Sequence, residues 1–175
     1  MTETYVTDPL TLLHRAPIRP STVRSTYRLQ LRPDALTFAD ARAIAEYLQQ
    51  PGISHLYLSP ILTATHGSTH GYDVTDPTTV SAALGGPSGL KALSDEVRSR
   101  GMGLIVDLVP NHVGVGDPRQ NPWWWDVLRN GQNSQYARYF DIDWSAGNGA
   151  GGRLALPVLQ SENDPAALTV DRSGP

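Results

Sequence analysis

An apolar run that starts at Gly103 contains one polar side chain and is followed by two more. The run carries one carboxylate, Asp107, and ends at Pro110, after which come Asn111 and His112. Leucine and β-branched residues bounded by Gly and Pro are typical of a buried strand. A carboxylate inside such a strand must be hydrogen-bonded or paired, because an isolated buried charge is costly. We therefore expect a site at the end of this strand, where parallel α/β folds place their chemistry.

A second polar group begins at His70, in a loop rich in Gly, Thr and His. Tyr72 stands beside this histidine and beside the carboxylates Asp73 and Asp76. An aromatic ring can cover the C–H face of a pyranose while polar neighbours bond its hydroxyls. Gly71 would permit a close approach of the backbone. The same composition also fits a loop whose aspartates cap turns and whose tyrosine is packing, and both interpretations stay open.

A metal site is a third interpretation of the same segments. Imidazole and carboxylate ligands could come from His66, His70, Asp73, Asp76, Asp107 and His112. However, His66 and His70 lie in a flexible loop, without the helical frame that makes a His-x-x-x-His spacing diagnostic. We therefore predict no metal site and no cofactor, and we keep a metal-dependent hydrolase only as an alternative function.

Aromatic residues are concentrated in a short region near the end of the chain: Trp123, Trp124, Trp125, Tyr136, Tyr139, Phe140 and Trp144. They could line a sugar-binding cleft, or they could pack a small subdomain that has little aliphatic core. For most of them the second interpretation is our prediction.

The composition restricts the classes of function. With 175 residues and a net charge of −3, the chain gives no basis for binding nucleic acid. We expect neither a membrane-spanning segment nor a signal peptide, since no long apolar run occurs. The absence of cysteine excludes disulfides and thiolate metal sites, and it is compatible with a reducing cytoplasm, the location that we predict.

Strand and helix patterns alternate over the first two thirds of the chain. Strands are predicted at 23–31, 53–58 and 104–109, helices at 38–50 and 88–101, and a polar loop at 63–89. This alternation predicts an α/β fold with parallel strands and right-handed crossovers. Beyond Asn111 the regularity fades, and we expect irregular structure there.

The polar segments resemble two signature motifs of the α-amylase superfamily, glycoside hydrolase family 13. The segment from Asp107 to His112 matches the family's Asp-x-x-x-Asn-His signature at the third strand. The segment from Gly71 to Asp76 matches its Gly-Tyr-x-x-x-Asp element after the second strand. Other phrases resemble a trehalose-forming subfamily: Ser25–Gln30, His55–Ala64, Gly67-Ser68, His70–Thr78, Asn121–Leu128 and Tyr139–Trp144.

The resemblance implies that the chain is the N-terminal part of a (β/α)₈ TIM barrel. Residues 21–112 would supply the first three β/α units, after a lead-in at 1–20. Residues 113–175 would begin an irregular domain inserted after the third strand. Because such a barrel needs about 250 residues, we expect the barrel to be incomplete in this chain.

The resemblance also implies roles for the motif residues. Tyr72 would stack on the glucosyl ring at the scission point, and His112 would bond the hydroxyls of that ring, with His70 close to the same subsite. The other motif residues would support the structure of the site: Asp73, Asp76, Asp107 and Asn111.

The activity implied by the resemblance is a rearrangement of maltooligosaccharides. The reducing-end α-1,4 link would become an α,α-1,1 link through an intramolecular, retaining transfer. In this family the catalytic carboxylates lie on the fourth, fifth and seventh strands, so we expect no catalytic residue in this chain and no activity from it alone. The remainder of the barrel would complete the enzyme. Two alternatives are a fragment of another glycoside hydrolase of the family and a non-catalytic glucan-binding fragment.

Overall fold

The computed structural model describes residues 22–145. They separate into two compact units, with the division between Gly114 and Val115. The lead-in predicted for residues 1–20 lies outside the described residues, as do positions 146–175 of the predicted inserted domain. Within the described range, no helix is both long and apolar enough to cross a membrane.

The first unit alternates strands and helices. Its elements are β1 (Thr26–Leu29), α1 (Phe38–Ala43), α2 (Ala45–Gln49), β2 (His55–Leu58), β3 (Leu62–Ala64), β4 (Val74–Val80), a 3₁₀ turn (Ala82–Leu84), α3 (Gly86–Ser99) and β5 (Gly103–Val106). Strands β1, β2 and β5 form a parallel sheet in the order β1-β2-β5, and β3 pairs antiparallel with β4. The predicted parallel α/β arrangement is therefore confirmed.

The core of this unit lies between the three-stranded sheet and the helices. Alternate side chains of a strand point to opposite faces, and Leu29, Leu56 and Leu58 point towards the helices. They pack with buried side chains from the helices and connections: Phe38, Ala41, Ala45, Leu48, Leu84, Leu93 and Val97. Burying an aliphatic or aromatic side chain of this size contributes roughly 1.5–3 kcal/mol. This face therefore anchors the sheet, and the opposite face carries polar groups.

Strand β1 is shorter than the predicted strand at 23–31. Two serine side chains take the place of backbone acceptors at its ends. The N–H groups of Arg24 and Ser25 donate to Ser54 Oγ at 2.9 and 3.0 Å. The Leu31 N–H donates to Ser59 Oγ at 2.8 Å. The backbone ladder therefore stops short at both ends although the polar–apolar alternation continues.

The loop predicted at 63–89 contains more regular structure than expected. Strands β3 and β4 form an irregular antiparallel pair, in which Thr63 opposes Asp76. The hydroxyls of Thr63 and Thr79 are hydrogen-bonded at 2.8 Å. β-Branched residues favour strands, which explains the pair where composition alone indicated a loop. Helix α3 begins at Gly86, two residues before the predicted start at Ser88.

Strand β5 ends before Asp107, which the sequence placed inside a strand buried on both faces. All four residues of β5 are only half-buried, and Leu108 is 66% exposed. Within the described chain β5 has a strand neighbour on one side only. One further ladder bond joins the Asp107 N–H to Leu58 O at 2.9 Å, so the carboxylate lies at the strand end.

The helix predicted at 38–50 is present as α1 and α2, which are separated at Ile44. The start of α1 is capped, because the Asp40 carboxylate accepts the N–H of Thr37 at 2.8 Å. The helix ends before Pro51 as predicted.

The second unit is more regular than the sequence indicated. It contains 3₁₀ turns at Pro118–Gln120, Gly131–Asn133 and Ala137–Tyr139, and helix α4 over Pro122–Asn130. Asn121 Oδ1 accepts the N–H of Trp124 at 3.0 Å and caps α4. Trp124 is buried with its ring centroid 5.0 Å from that of Phe140. The prediction that aromatic residues pack a small subdomain is therefore confirmed for Trp124.

Candidate functional site

The polar face of the parallel sheet ends in a group of charged and aromatic side chains. Arg28 of β1 and Tyr57 of β2 are register partners, and Tyr57 pairs in turn with Ile105 of β5. Asp107 follows Ile105 by two positions, so its side chain points to the same face. These side chains emerge at the carboxyl ends of the strands, the edge where α/β folds place their sites.

Arg28, Tyr57, Tyr72 and Asp107 form one hydrogen-bonded group, which we call the Arg28 network. Arg28 Nη2 donates to Tyr72 Oη at 2.6 Å, and Tyr72 Oη donates to Asp107 Oδ2 at 2.6 Å. Arg28 Nη1 and Tyr57 Oη each lie 3.3 Å from Asp107 Oδ2. The sequence prediction that Asp107 must be hydrogen-bonded or paired is confirmed.

The hydrogen bonds and charges of the network determine the protonation states of Asp107 and Tyr72. The hydrogen bond from Tyr72, assisted by the Arg28 guanidinium, lowers the pKa of Asp107. The hydrogen bond to Asp107, together with desolvation, raises the pKa of Tyr72. At neutral pH the carboxylate is therefore ionised and the phenol keeps its proton.

Acidification is expected to remove the contribution of Asp107 to stability. Its folded pKa lies below the ordinary value of 3.8. The contribution is therefore fully present above about pH 4 and is lost as the pH falls through the folded pKa. Urea unfolding of the wild type and Asp107→Asn measures this effect, because the difference between their free energies of unfolding cancels the other titrating groups. The difference should stay constant from about pH 6 to about pH 4 and shrink as the pH falls further through the folded pKa; a difference that is the same at every pH would contradict the electrostatic role of the network.

The loop that carries Tyr72 is folded tightly against the end of β2. Gly71 has a φ of +76°, and a Cβ at this position would lie 3.1 Å from Pro60 O. Its N–H donates to Ser68 Oγ, and the Ser68 hydroxyl donates to Asp73 Oδ1 at 2.5 Å. A side chain at position 71 would therefore crowd the Pro60 carbonyl, while a close approach of the Gly71 backbone to a sugar stays a prediction.

His70 lies directly beside the ring of Tyr72. The two ring centroids are 6.0 Å apart with an interplanar angle of 30°. His70 Nδ1 accepts the backbone N–H of Tyr72 at 3.0 Å, whereas Asp73 Oδ1 lies 3.8 Å away. His70 Nδ1 therefore helps to orient the backbone of Tyr72, and it does not form a close ion pair with Asp73.

The remaining motif residues are placed on two separate elements. Asn111 Oδ1 and His112 Nδ1 lie 3.2 Å apart in the exposed segment after β5, as the sequence indicated. Asp76 lies in β4, where its carboxylate accepts hydrogen bonds from the N–H and hydroxyl of Thr78 and from the hydroxyl of Thr79. These bonds remain within β4, and the supporting role of Asp76 between loop and barrel stays a prediction.

Two members of the network, Arg28 and Tyr57, were not among the sequence-predicted site residues. Arg28 lies within the strand predicted at 23–31, but its side chain is 37% exposed, so the cost of burying a charge did not indicate a partner for it. Tyr57 could be found only through the register of β1 and β2. In the part of the chain from 22 to 145, no group of three or more His, Asp or Glu side chains is placed to hold a metal ion.

The family model of the α-amylase catalytic domain matches residues 43–168 of this chain. The chain belongs to the α-amylase family. The fold predicted from the sequence, the first β/α units of the (β/α)₈ barrel of this family, is therefore confirmed. The described residues contribute three parallel strands, which do not form a closed barrel.

The relatives of this chain include proteins named as maltooligosyl trehalose synthases. A Mycobacterium tuberculosis H37Rv protein named "Putative maltooligosyl trehalose synthase" is 62% identical over 153 residues, which are 85% of this chain and 20% of the relative. The structure of maltooligosyltrehalose synthase from Arthrobacter ramosus is 55% identical with a TM-score of 0.77, covering 85% of this chain and 19% of that protein. The intracellular maltogenic amylase of Bacillus subtilis is 32% identical over 126 residues, 72% of this chain and 18% of that protein. The chain thus spans about one fifth of the length of the Mycobacterium tuberculosis relatives that it matches.

Proposed function

We propose that this chain forms the first part of the catalytic barrel of an enzyme that rearranges maltooligosaccharides. The enzyme would convert the reducing-end α-1,4 link into an α,α-1,1 link by intramolecular transglycosylation. The identities of 62% and 55% to proteins named as maltooligosyltrehalose synthases support this proposal. The observation that carries it is the ring of Tyr72, held at the carboxyl ends of the strands by Arg28 and Asp107.

The proposed task of these residues is to hold the glucosyl unit at the scission point. The Tyr72 ring offers a flat surface for the C–H face of the sugar, and the centroid of the His70 ring lies 6.0 Å from that of Tyr72. His112, exposed beyond β5, would bond hydroxyls of the same unit. Asp107 and Asn111 support the strand end, while Asp73 and Asp76 support the loop and β4.

The bond-breaking groups of the proposed enzyme are not assigned to this chain. A retaining transfer uses a nucleophilic carboxylate and a carboxylic acid about 5–5.5 Å apart. The released glucose must then stay in place and attack through its own anomeric hydroxyl, with water excluded so that hydrolysis does not compete. We propose that residues of this chain bind and retain the sugar, and that the chain alone does not turn over substrate. A cytoplasmic location also stays a prediction.

Grafting residues 22–145 into maltooligosyltrehalose synthase from Arthrobacter ramosus, in place of the matching segment, tests the proposed function. With maltopentaose, the grafted enzyme should remove reducing ends and form a trehalosyl end without releasing an equivalent amount of glucose. Product chromatography with a reducing-sugar assay measures both, and the unmodified enzyme is the control.

Two results would contradict the proposed function. Release of glucose without trehalosyl ends would favour another glycoside hydrolase of the α-amylase family. A folded graft that binds maltopentaose but forms no product would favour a non-catalytic glucan-binding segment.

A further inference from the structure

Arg28 contacts every other member of the Arg28 network. Its guanidinium donates to Tyr72 Oη at 2.6 Å, reaches Asp107 Oδ2 at 3.3 Å and lies 4.6 Å from the ring centroid of Tyr57. We infer that Arg28 is a positioning residue that locks the Tyr72 ring as the sugar-facing surface. This inference rests on the proposed function, because it concerns how the same site presents its ring to a glucan.

The directions of the hydrogen bonds explain how the lock works. The arginine can only donate and the ionised carboxylate can only accept. The Tyr72 hydroxyl therefore accepts from Arg28 and gives its single hydrogen to Asp107. The Tyr72 hydroxyl is therefore occupied by its hydrogen bonds to Arg28 and Asp107 at the strand ends. Tyr72 is then left to recognise a sugar through its ring face.

The shape of the arginine side chain suits this task. Two different guanidinium nitrogens reach Tyr72 and Asp107, while the planar group lies over Tyr57. A lysine ammonium is a compact charge that lacks this rigid fork and cannot stack in the same way. Because the Arg28 side chain is 37% exposed, its ion pair with Asp107 adds little to stability. The importance of Arg28 therefore lies in the geometry that it imposes on Tyr72.

If Arg28 positions the Tyr72 ring, its replacement should weaken sugar binding. Calorimetry of maltopentaose binding to the 175-residue chain measures this effect. Arg28→Lys and Arg28→Gln should each weaken binding about tenfold, the scale of losing a hydrogen bond to a charged group. The double variant Arg28→Gln/Tyr72→Phe should bind no more weakly than its weaker single variant, because both changes remove the same bond. Arg42→Gln, which removes an exposed arginine of α1, is the matched control and should bind normally.

The titration of Tyr72 gives a second readout that does not depend on sugar. Carbon-13 NMR of labelled tyrosine, assigned with Tyr72→Phe, follows the phenol in the same chain. Asp107 raises the pKa of Tyr72 and Arg28 lowers it. Arg28→Gln should therefore raise the pKa of Tyr72 further, and Asp107→Asn should lower it. Circular dichroism of each variant confirms that the comparison is made on folded protein.

The outcomes separate this inference from the proposed function. An unchanged Tyr72 titration in Arg28→Gln would overturn the inference, as would normal maltopentaose binding by Arg28→Lys while Tyr72→Ala binds weakly. Equal binding by Tyr72→Ala and the wild type, or no binding by either, would instead count against the proposed role of Tyr72 itself. In that case the titration still decides whether Arg28 holds Tyr72.

Discussion

Gly103→Ala should destabilise the first unit by about 1–3 kcal/mol or more, the cost of forcing extra atoms into a packed site. A Cβ at this position of β5 would lie 2.4 Å from Cδ2 and Nε2 of the His55 imidazole. His55 is buried, and its Nδ1 lies 3.0 Å from Ser54 Oγ. That hydroxyl in turn bonds the backbone before β1. Movement of the imidazole away from a new Cβ would therefore disrupt its buried packing and its contact with Ser54.

Urea unfolding measures this prediction, and two further variants control it. Gly116→Ala adds the same methyl group where no atom lies within 4 Å and φ is ordinary, so its free energy of unfolding should change by no more than about 0.5 kcal/mol. In the Gly103→Ala background, His55→Ala should recover part of the lost stability, because it removes the clash. Equal stability of Gly103→Ala and the wild type would show that the imidazole moves freely, contrary to the packing described.

Tyr72→Ala in the grafted enzyme should lower kcat/KM for trehalosyl formation about tenfold or more, which corresponds to about 1.4 kcal/mol of transition-state stabilisation. The reason is the loss of the flat surface on which the glucosyl ring would stack. Tyr72→Phe keeps this ring but loses the bonds to Arg28 and Asp107, so we expect a smaller decrease. Initial rates with maltopentaose over a range of concentrations give the values.

Tyr47→Ala is the matched control for Tyr72→Ala. Tyr47 lies on α2, an element of the helical layer, and is 70% exposed. Its replacement should leave kcat/KM unchanged. Unchanged kcat/KM in Tyr72→Ala as well would remove Tyr72 from the proposed substrate site.

Several features of the fold were predictable because they depend on local pattern. The alternation of strands and helices predicted the parallel sheet, and the helix predicted at 38–50 contains α1 and α2. The need of Asp107 for partners followed from the cost of an unpaired charge. Each of these inferences uses only the types and order of residues along the chain.

The partners of Asp107 could not be named from local pattern. Arg28 and Asp107 are 79 residues apart in sequence, and Arg28 and Tyr72 are 44 apart. The register of three strands and the path of a loop bring them together, and neither can be derived from composition. The shortened β1 has a similar origin, since Ser54 and Ser59 supply side-chain acceptors that no period-two pattern reveals.

Helix α4 was missed for a different reason. Its start carries recognisable signals, since Asn121 is a favoured N-cap and Pro122 occupies the first helical turn. The three consecutive tryptophans are compatible with sugar binding or with packing and do not by themselves indicate a helix. The N-cap Asn121 and Pro122 thus start a helix in a segment whose composition predicted irregular structure.

The most direct measurement of the central claim uses maltopentaose with a carbon-13 label at the anomeric carbon of its reducing glucose. The grafted enzyme would act on it in the presence of excess unlabelled glucose, with carbon-13 NMR of the products. Intramolecular transfer predicts that the label appears in the α,α-1,1 link and that the unlabelled glucose is not incorporated. Labelled free glucose, or a trehalosyl end that has lost the label, would contradict the account.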